Sequence, residues 1–203
     1  MPIRPLLERE LDPDPRRQFA AWLREAEAAA IPMPEAMALA TAAADGSPSV
    51  RMVLLKGHDE RGYVFYTGYG SRKGRDLATN PRAALLFHWA PLGRQVRIEG
   101  GVARLDPIES DDYFRTRPRG SQIAAWASSQ SDPIAGRDEL DAAAARVASR
   151  FEGLDVPLPP SWGGFRLTAE RFEFWQHRED RLHDRLAYEP GPGGRWAVRR
   201  LAP

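Results

Sequence analysis

The sequence predicts one α+β domain, built on an antiparallel β-barrel or sandwich and flanked by helices. Segments of seven to twelve residues rich in β-forming side chains follow one another between positions 38 and 105, separated by turn signals. Helical patterns cover residues 12–30 and most of 106–151, and β-forming segments return after the proline-rich stretch at 156–162. Because no linker or change of composition divides these segments, residues 1–203 are expected to share one core.

The first helix is predicted over the segment that begins at Asp12. Asp14 can cap it, and Pro15 suits a first turn because its missing N–H has no helical partner there. The apolar residues recur at helical spacing, so this helix is expected to lie across a sheet. The residues of that apolar face are Phe19, Trp22, Leu23 and Ala26. Residues 1–12 are expected to form a flexible lead.

The remaining elements follow from composition and turn residues. Five strands are predicted in ALATAAA, SVRMVLLKG, GYVFYTG, RAALLFHW and RQVRIEGGVARL, and a short helix with Ser71 as N-cap ends at Asn80-Pro81 between the third and fourth. The middle third reads as three helices, DPIESDDYFRTRP, SQIAAWASS and RDELDAAAARVASRF. The last three strands are predicted in GFRLTAERFEFWQ, RLHDRLAYE and RWAVRRLAP.

The composition excludes several classes of protein. With no cysteine there is no disulfide framework or thiolate chemistry, and the four histidines form no metal-binding pair, so no metal site is expected. Lys plus Arg number 29 against 28 Asp plus Glu, which gives no general attraction to nucleic acid or to a membrane. No signal peptide or apolar span is apparent, so a cytoplasmic protein is expected.

Two basic patterns lie in the first half of the chain. Ser71-Arg72-Lys73 at a helix start could bind a phosphate, although a capped surface helix with solvated charges has the same pattern. Arg51 and Lys56 bracket the strand segment RMVLLK and are predicted to point to opposite faces, because side chains alternate along a strand. Charged ends of this kind also protect an edge strand from aggregation.

Two further patterns lie in the second half. Tyr113 and Arg117 are neighbours on one helical face, and Ser121 follows the break at Pro118, so the three could form a phosphate cup or a solvent-facing group. In RLHDR, a strand would place Arg181, His183 and Arg185 on one face, with about 6.8 Å between successive members. Such a row of cations favours an anionic ligand, and a salt-bridged surface face is the alternative.

With these motifs in place, the chain resembles the pyridoxine/pyridoxamine 5'-phosphate oxidase family from about Leu11 to Pro203. The resemblance is carried by RMVLLK at 51–56, VFYTGYGSRKGRDLATNPRAALLF at 64–87, RQVRIEG at 94–100 and YFRTRPRGSQIAAWASSQS at 113–131. The closing motifs PLPPSWGGFRL, FEFWQ, RLHDR and RLAP are the most specific part. The resemblance implies an FMN-binding split barrel with Greek-key-like strands, which forms a homodimer with FMN in two clefts between subunits.

The resemblance also assigns site residues. The implied FMN-binding residues, contributed by both chains, are Arg51, Met52, Val53, Leu54, Leu55, Lys56, Tyr66, Thr67, Arg72, Lys73, Gln95, Gln130, Ser131, Trp175 and Arg185. The implied substrate-binding residues are Lys56, Tyr113, Arg117, Ser121, Arg181, Leu182 and His183, of which Arg181 and His183 are the catalytic pair. The two phosphates would then bind on opposite faces of the 51–56 strand.

The implied reaction oxidises pyridoxine or pyridoxamine 5'-phosphate to pyridoxal 5'-phosphate and reduces O2 to H2O2, with the protein positioning the substrate carbon against the flavin. Two features depart from the family pattern. The N-terminal arm is short, and Met33 stands where relatives often carry an acidic residue. The competing functions are a flavin oxidase of phenazine biosynthesis, a deazaflavin-dependent reductase, and a non-catalytic carrier of FMN or pyridoxal 5'-phosphate.

Overall fold

In the computed structural model, residues 4–203 are described and form nine strands and five α-helices. The strands are β1 (Ala36–Ala42), β2 (Pro48–Leu54), β3 (Gly57–Asp59), β4 (Gly62–Gly68), β5 (Arg82–Trp89), β6 (Arg94–Arg104), β7 (Trp162–Gln176), β8 (Asp184–Pro190) and β9 (Trp196–Arg200). The helices are α1 (Pro15–Ala28), α2 (Arg72–Thr79), α3 (Pro107–Thr116), α4 (Arg119–Ala127) and α5 (Arg137–Arg150). Each predicted element forms within a few residues of its predicted bounds, and only the short β3 was not predicted.

The strands pair into a barrel. All pairs are antiparallel, and the main path runs β2-β1-β5-β6-β7-β4-β3, with β8 added to β7 and β9 to β8. Its two end strands, β2 and β3, are consecutive in the chain. One segment, Pro48 to Asp59, therefore pairs with β1 first and with β4 afterwards, and the Lys56 N–H donates to the Val64 carbonyl at 2.8 Å where it bends. The predicted antiparallel split barrel is confirmed.

Helix α1 packs across the barrel as its pattern predicts. The Asp14 side chain accepts a hydrogen bond from the Arg16 N–H at 3.0 Å, and Pro15 is the first helical residue. Phe19 is fully buried, with its ring centroid 5.1 Å from that of Tyr63 and 4.8 Å from that of Phe87. The apolar face of α1 is thus part of the main core.

The residues before α1 are docked on the barrel. Leu6 is buried in the main core, and the Tyr188 hydroxyl donates to the Asp12 carbonyl at 2.8 Å. From Leu6 onward, the segment that was expected to be a flexible lead contacts the barrel through an apolar anchor and backbone hydrogen bonds. Residues 1–3 lie outside the described residues.

Helices α3 to α5 form a smaller layer beside the start of β7. Its core contains the buried side chains of Phe114, Phe151, Val156 and Trp162. The Ser110 hydroxyl of α3 accepts a hydrogen bond from the Gly164 N–H of β7 at 3.2 Å, which ties this layer to the barrel. Among the helices of residues 4–203, none is long and apolar enough to cross a membrane.

Candidate active site

A cleft of about 1090 Å³ lies between β2, β4, the start of α2 and the helices α3 and α4. Its walls come from segments far apart in the sequence, which the barrel brings together. It contains most of the residues for which the sequence suggested a ligand-binding role. These are Arg51, Met52, Val53, Leu54, Lys56, Tyr66, Thr67, Arg72, Lys73, Tyr113, Arg117, Ser121, Gln130 and Ser131.

Within the cleft, the start of α2 lies beside residues of β2 and β4 in a group that we call the α2 site: Arg51, Thr67, Ser71, Arg72 and Lys73. Ser71 caps the helix, since its hydroxyl accepts from the Gly74 N–H at 3.3 Å. The Lys73 ammonium donates to Thr67 Oγ1 at 2.9 Å and to Ser71 Oγ at 3.3 Å. Its hydrogen bonds therefore go to neutral hydroxyls, and its charge is left available to an anion.

Gln130 ties the loop after α4 to the α2 site. The Thr67 hydroxyl donates to Gln130 Oε1 at 2.8 Å, and the Gly68 N–H donates to the same oxygen at 3.2 Å. The residue after it, Ser131, has a backbone φ of 77°, which is rare for a side chain other than glycine. The loop thus delivers Gln130 and Ser131 to the cleft through a specific hydrogen bond.

Arg51 is held in place by β1 and α2. Its guanidinium donates to Thr41 Oγ1 and to Ser49 Oγ, both at 2.7 Å, and lies 3.8 Å from the Asp76 carboxylate. The Thr41 hydroxyl in turn donates to Asp76 at 2.6 Å. Asp76 therefore orients Arg51 through a direct and a hydroxyl-mediated contact, and offsets only part of the local positive charge.

Burial destabilises the charged forms of the cationic side chains in the α2 site. Lys73 is only 6% exposed, and its desolvation, helped by the nearby Arg51 charge, lowers its pKa to about 8. Burial likewise lowers the pKa of Arg51. Perturbed cations of this kind cluster at ligand sites, because a bound anion restores the stability that desolvation removes.

The same cleft contains a second group, which we call the Arg117 site: Lys56, Tyr113, Arg117 and Ser121. The rings of Tyr66 and Tyr113 stack with centroids 3.9 Å apart, and the Trp162 ring stacks on Tyr66 at 5.4 Å. The Arg117 guanidinium lies 4.5 Å from the Trp162 ring centroid. The stack fixes the position of this cation.

One nitrogen of Arg117 is left without an acceptor. Its Nη1 is buried and has no hydrogen-bond partner among the described residues. Desolvation lowers the pKa of Arg117, and burial raises the pKa of Tyr66 to about 12. Because an unsatisfied charged donor is costly, the Arg117 site is suited to an anionic ligand that accepts this hydrogen bond.

Arg51 and Lys56, which were predicted to point to opposite faces of one strand, both line the same cleft. Strand β2 ends at Leu54, and Leu55 turns its side chain into the main core, where it is 5% exposed. Alternation along a strand therefore no longer applies at Lys56. Leu55 itself was predicted to bind the ligand but lies in the core and does not line the cleft.

A separate group of predicted site residues lies at the far end of β7, and we call it the Trp175 cluster: Gln95, Trp175, His183 and Arg185. In the strand register, Trp175 lies opposite Gln95 on β6 and opposite Arg185 on β8. The His183 ring centroid is 4.6 Å from that of Trp175. Trp162 of the cleft is at the other end of the same strand, so roughly 40 Å of extended chain separates the two. The cluster does not line the cleft of its own chain.

The predicted row of cations in RLHDR is wrong. Strand β8 begins only at Asp184, and the preceding Asp180 and Arg181 have φ values of 56° and 61°, in the left-handed region. These values break the extended geometry that would align Arg181 with His183 and Arg185. Arg185 donates to the buried carboxylate of Glu173 at 2.8 Å, so the expected repulsion is offset within the chain.

His183 has a defined hydrogen-bond partner. Its Nδ1 accepts from the backbone N–H of Arg178 at 3.1 Å, which leaves the proton of the neutral ring on Nε2. Arg181 and Leu182 lie just before it, and Leu182 is 69% exposed. The three residues lie on a short loop between β7 and β8 that continues directly from the Trp175 cluster.

Three residues that matter to this geometry were given no site role in the sequence analysis: Thr41 and Asp76, which hold Arg51, and Trp162, which belongs to the buried core of the helical layer and also lines the cleft. A signal for Asp76 was its position as the sole acid in the predicted helix that starts after Ser71. For Trp162 the signal was the glycine pair after it, and a Cβ on Gly163 would clash with the Tyr69 hydroxyl. Tight backbone packing of this kind marks a wall of fixed shape.

Barrel and cleft together define a split-barrel protein with a basic ligand cleft. Residues 23–151 match the family model described as "Pyridoxamine 5'-phosphate oxidase", and residues 162–203 match the model described as "Pyridoxine 5'-phosphate oxidase C-terminal dimerisation region". The chain belongs to the pyridoxamine 5'-phosphate oxidase family.

Curated relatives match nearly the whole chain. A protein of Rubrobacter xylanophilus named pyridoxine/pyridoxamine 5'-phosphate oxidase is 58% identical over 98% of this chain and 91% of its own length. A protein of the same name from Cupriavidus necator is 55% identical, over 98% of this chain and 93% of its own. Both matches cover 98% of this chain.

Solved structures share the fold. PhzG from Burkholderia lata, in complex with tetrahydrophenazine-1-carboxylic acid, superposes with a TM-score of 0.91 at 35% identity and covers 99% of both chains. A pyridoxamine 5'-phosphate oxidase-related, FMN-binding protein from Nostoc punctiforme has a TM-score of 0.73 at 15% identity, over 94% of this chain and 98% of its own. The second likeness concerns the fold alone.

Proposed function

We propose that this chain is an FMN-dependent pyridoxine/pyridoxamine 5'-phosphate oxidase that works as a homodimer. It oxidises pyridoxine 5'-phosphate with O2 to pyridoxal 5'-phosphate and H2O2. Pyridoxamine 5'-phosphate reacts with O2 and water to give the same aldehyde, ammonia and H2O2. The observation that carries the proposal is a single cleft with two cationic sites, one at the α2 N-terminus and one at Arg117.

The donors of the α2 site fit the phosphate of FMN. Lys73 is a buried ammonium hydrogen-bonded only to hydroxyls, and the start of α2 adds backbone N–H groups and the positive end of the helix dipole. A phosphate dianion would relieve the desolvation of Lys73 and Arg51 together. Met52 to Leu54 supply the apolar wall that a flavin ring system requires beside its phosphate.

The Arg117 site fits the phosphate of the substrate. Its orphaned Nη1 lacks the acceptor that a phosphate oxygen would provide, and Tyr113, Ser121 and Lys56 add donors around it. The Tyr66–Tyr113–Trp162 stack holds these donors in fixed positions, which lowers the entropy cost of binding. Two phosphorylated ligands thus have one cationic site each.

A second copy of the chain completes the site. Three of the four residues of the Trp175 cluster, Trp175, His183 and Arg185, lie in the region that matches the dimerisation model, and the cluster lies away from the cleft of its own chain. The exposed face of β2 is apolar, with Val50 and Met52 68% and 65% exposed, as expected of a surface that another subunit covers. In the homodimer, the Trp175 cluster of one subunit would face the cleft of the other.

Bound FMN would supply the redox chemistry, because its ring system accepts two electrons and can be reoxidised by O2. The chain supplies position and proton handling. The Arg117 site anchors the substrate phosphate, and Arg181 orients the pyridine ring. His183, whose Nδ1 is occupied by the Arg178 N–H, offers Nε2 to a polar substituent of the ring or to the proton released there.

The test is anaerobic reduction of the purified, FMN-loaded protein by each vitamer. Mixing with pyridoxine or pyridoxamine 5'-phosphate should bleach the flavin band, and admitting air should restore it, with pyridoxal 5'-phosphate formed. A flavin that neither vitamer reduces would overturn the proposal. Arg181→Ala should bind both ligands and turn over far more slowly, and normal turnover would remove Arg181 from its orienting role.

The structural likeness to PhzG favours a second candidate, a flavin oxidase of a phenazine precursor. Such a substrate carries a carboxylate and no phosphate, so it does not require the intact Arg117 site. The same anaerobic experiment with a dihydro- or tetrahydrophenazine carboxylate separates the two candidates. Bleaching by that compound alone would replace the proposed substrate.

A further inference from the structure

The loop between β7 and β8 is held in an unfavourable conformation. Asp180 and Arg181, which are adjacent and not glycine, have left-handed φ values of 56° and 61°. Within the loop, the Leu182 N–H donates to the Glu179 carbonyl at 3.1 Å and the Arg178 N–H to His183 at 3.1 Å. Such strain persists only where the surroundings hold it in place.

The residue that anchors the end of this loop is Asp184, the first residue of β8. Its side chain is only 14% exposed. One carboxylate oxygen accepts from Arg200 Nη1 at 2.6 Å, and the other accepts from the backbone N–H of Leu6 at 3.1 Å. The residue directly after His183 is thus fixed by β9 and by the N-terminal segment.

Arg200 joins these two elements. Its Nε and Nη2 donate to the two carboxylate oxygens of Glu8 at 2.8 and 3.0 Å, which is a bidentate pair. Nη2 also donates to the Leu6 carbonyl at 2.7 Å, so all three guanidinium nitrogens are engaged. Leu6 inserts its side chain into the main core. The N-terminal segment is thereby fastened to the base of the loop.

We propose that Glu8, Arg200 and Asp184 form a clasp that positions the Arg181–His183 loop for turnover. The inference rests on the proposed function, because turnover here means oxidation of the phosphorylated vitamer. Glu8, Arg200 and Asp184 do not line the Arg117 site. They are positioning residues, because they act on the substrate through Arg181 and His183. The N-terminal segment, through Glu8, becomes part of the catalytic apparatus without touching the substrate.

The clasp predicts a particular kinetic pattern. The substrate phosphate is bound in the cleft, so loosening the loop should leave KM nearly unchanged and lower kcat. The Glu8–Arg200 pair is exposed and adds little to global stability, so the melting temperature of Glu8→Gln should change little. The population of the competent loop should nevertheless fall, and kcat with it by about fivefold, a coupling of ordinary size.

The experiment compares Glu8→Gln and Arg200→Gln with the matched control Glu170→Gln. Glu170, whose side chain is 49% exposed like that of Glu8, pairs with Arg82 at 2.5 Å in the middle of β7, about 20 Å of extended strand before the loop. The clasp variants should lose about fivefold in kcat at unchanged KM and FMN affinity, and the control should match the wild type. Wild-type kcat in both clasp variants, or an equal loss in the control, would overturn the proposal.

A second readout does not depend on turnover. In ¹⁵N-histidine spectra of the FMN-loaded dimer, with signals assigned through a His183→Gln variant, wild-type His183 should carry its proton on Nε2. The clasp variants should show a mixture of tautomers. An unchanged His183 signal would overturn the clasp even if neither vitamer were oxidised, whereas a failure of the wild type to oxidise either vitamer would overturn only the proposed function.

Discussion

Lys73 is buried, and burial disfavours the charged form of its side chain. The binding of FMN should therefore depend on pH. The pKa of Lys73 is lowered to about 8, so below that pH the ammonium is already charged in the free protein. Above pH 8, each FMN bound must bring one proton with it. The apparent Kd for FMN should therefore rise, by up to about tenfold per pH unit, until the raised pKa of the complex is reached.

Fluorescence titration of the apoprotein with FMN between pH 6.5 and 9.5 measures this dependence. The matched variant is Lys73→Arg, which stays charged throughout and should flatten the curve. Lys73→Ala should weaken FMN retention before it affects substrate binding. A wild-type Kd that does not change above pH 8 would refute the assignment of Lys73 to the cofactor phosphate.

Arg117 offers a separate prediction for the substrate. Arg117→Ala removes a buried, charged donor and should weaken substrate binding by about 1.5–3 kcal/mol while FMN affinity stays unchanged. The control is Arg115→Ala in the last turn of α3, two residues before Arg117, where the side chain is 74% exposed and paired with Asp111. Isothermal titration of the FMN-loaded protein with the product measures the change, and loss of FMN from Arg117→Ala would mean that the two sites are misassigned.

For individual residues, the sequence indicated which side chains could bind a phosphate, but not which neighbouring residues hold them in position. Ser71, Arg72 and Lys73 are adjacent, so their shared role was visible. Asp76 and Thr41 were not linked to Arg51, because that network needs β1 and α2 to pack together. Gln130 was assigned through the family resemblance alone, since 63 positions separate it from Thr67.

Among the elements, α2 links helix capping to cofactor binding. Ser71→Ala removes the N-cap and also an acceptor of Lys73. The loss of the cap should cost about 1 kcal/mol, which corresponds to about 2–4 °C in Tm for a chain of this size. FMN affinity should fall as well, because the helix start and Lys73 both lose order.

Asp106→Ala is the matched variant, since Asp106 caps α3 by accepting from the Ile108 N–H at 2.7 Å. Both variants should lower the melting temperature in calorimetry, and only Ser71→Ala should weaken FMN binding. Equal FMN affinity in the two variants would show that capping of α2 has no part in the α2 site.

Elements were predictable where local chemistry decides them. Asp14-Pro15 and Ser71 mark helix starts by hydrogen bonds that lie within a few residues, and both predictions are confirmed. The loop before β8 was predicted as strand because nothing in RLH signals a left-handed residue, which sequence reasoning expects at glycine. The end of β2 at Leu54 was missed for a similar reason, because tertiary packing of Leu55 decides it.

The proposed homodimer predicts that each active site is shared between two subunits. If each site takes the cleft from one subunit and the Trp175 cluster from the other, two defective variants can complement each other. Arg117→Ala damages the cleft and His183→Ala the opposite half. In randomly reassorted dimers of the two, about one quarter of all sites should be intact.

Activity in such a mixture should therefore rise to about a quarter of the wild-type value, well above that of either variant alone. The variants are denatured together and refolded with FMN, and each variant refolded alone is the control. If activity in the mixture stays at the average of the two variants, the site lies within one chain.

The arrangement of the whole molecule was the least accessible from residue patterns. Alternation and turn residues predicted the strands but not their order, in which β5 lies beside β1 and β7 beside both β6 and β4. The resemblance supplied the split barrel and the dimer. The separation of the cleft from the Trp175 cluster became apparent only with the strand register.

The segment from Pro48 to Asp59 closes the barrel and also forms one wall of the cleft. A mutation in this segment can affect both folding and ligand binding, and selection acts on both properties. A change that improved one property would have to leave the other intact, so few substitutions would survive. Over evolutionary time, this segment should drift more slowly than strands that serve the barrel alone, such as β5, and laboratory evolution of new specificity should find its tolerated changes elsewhere in the cleft.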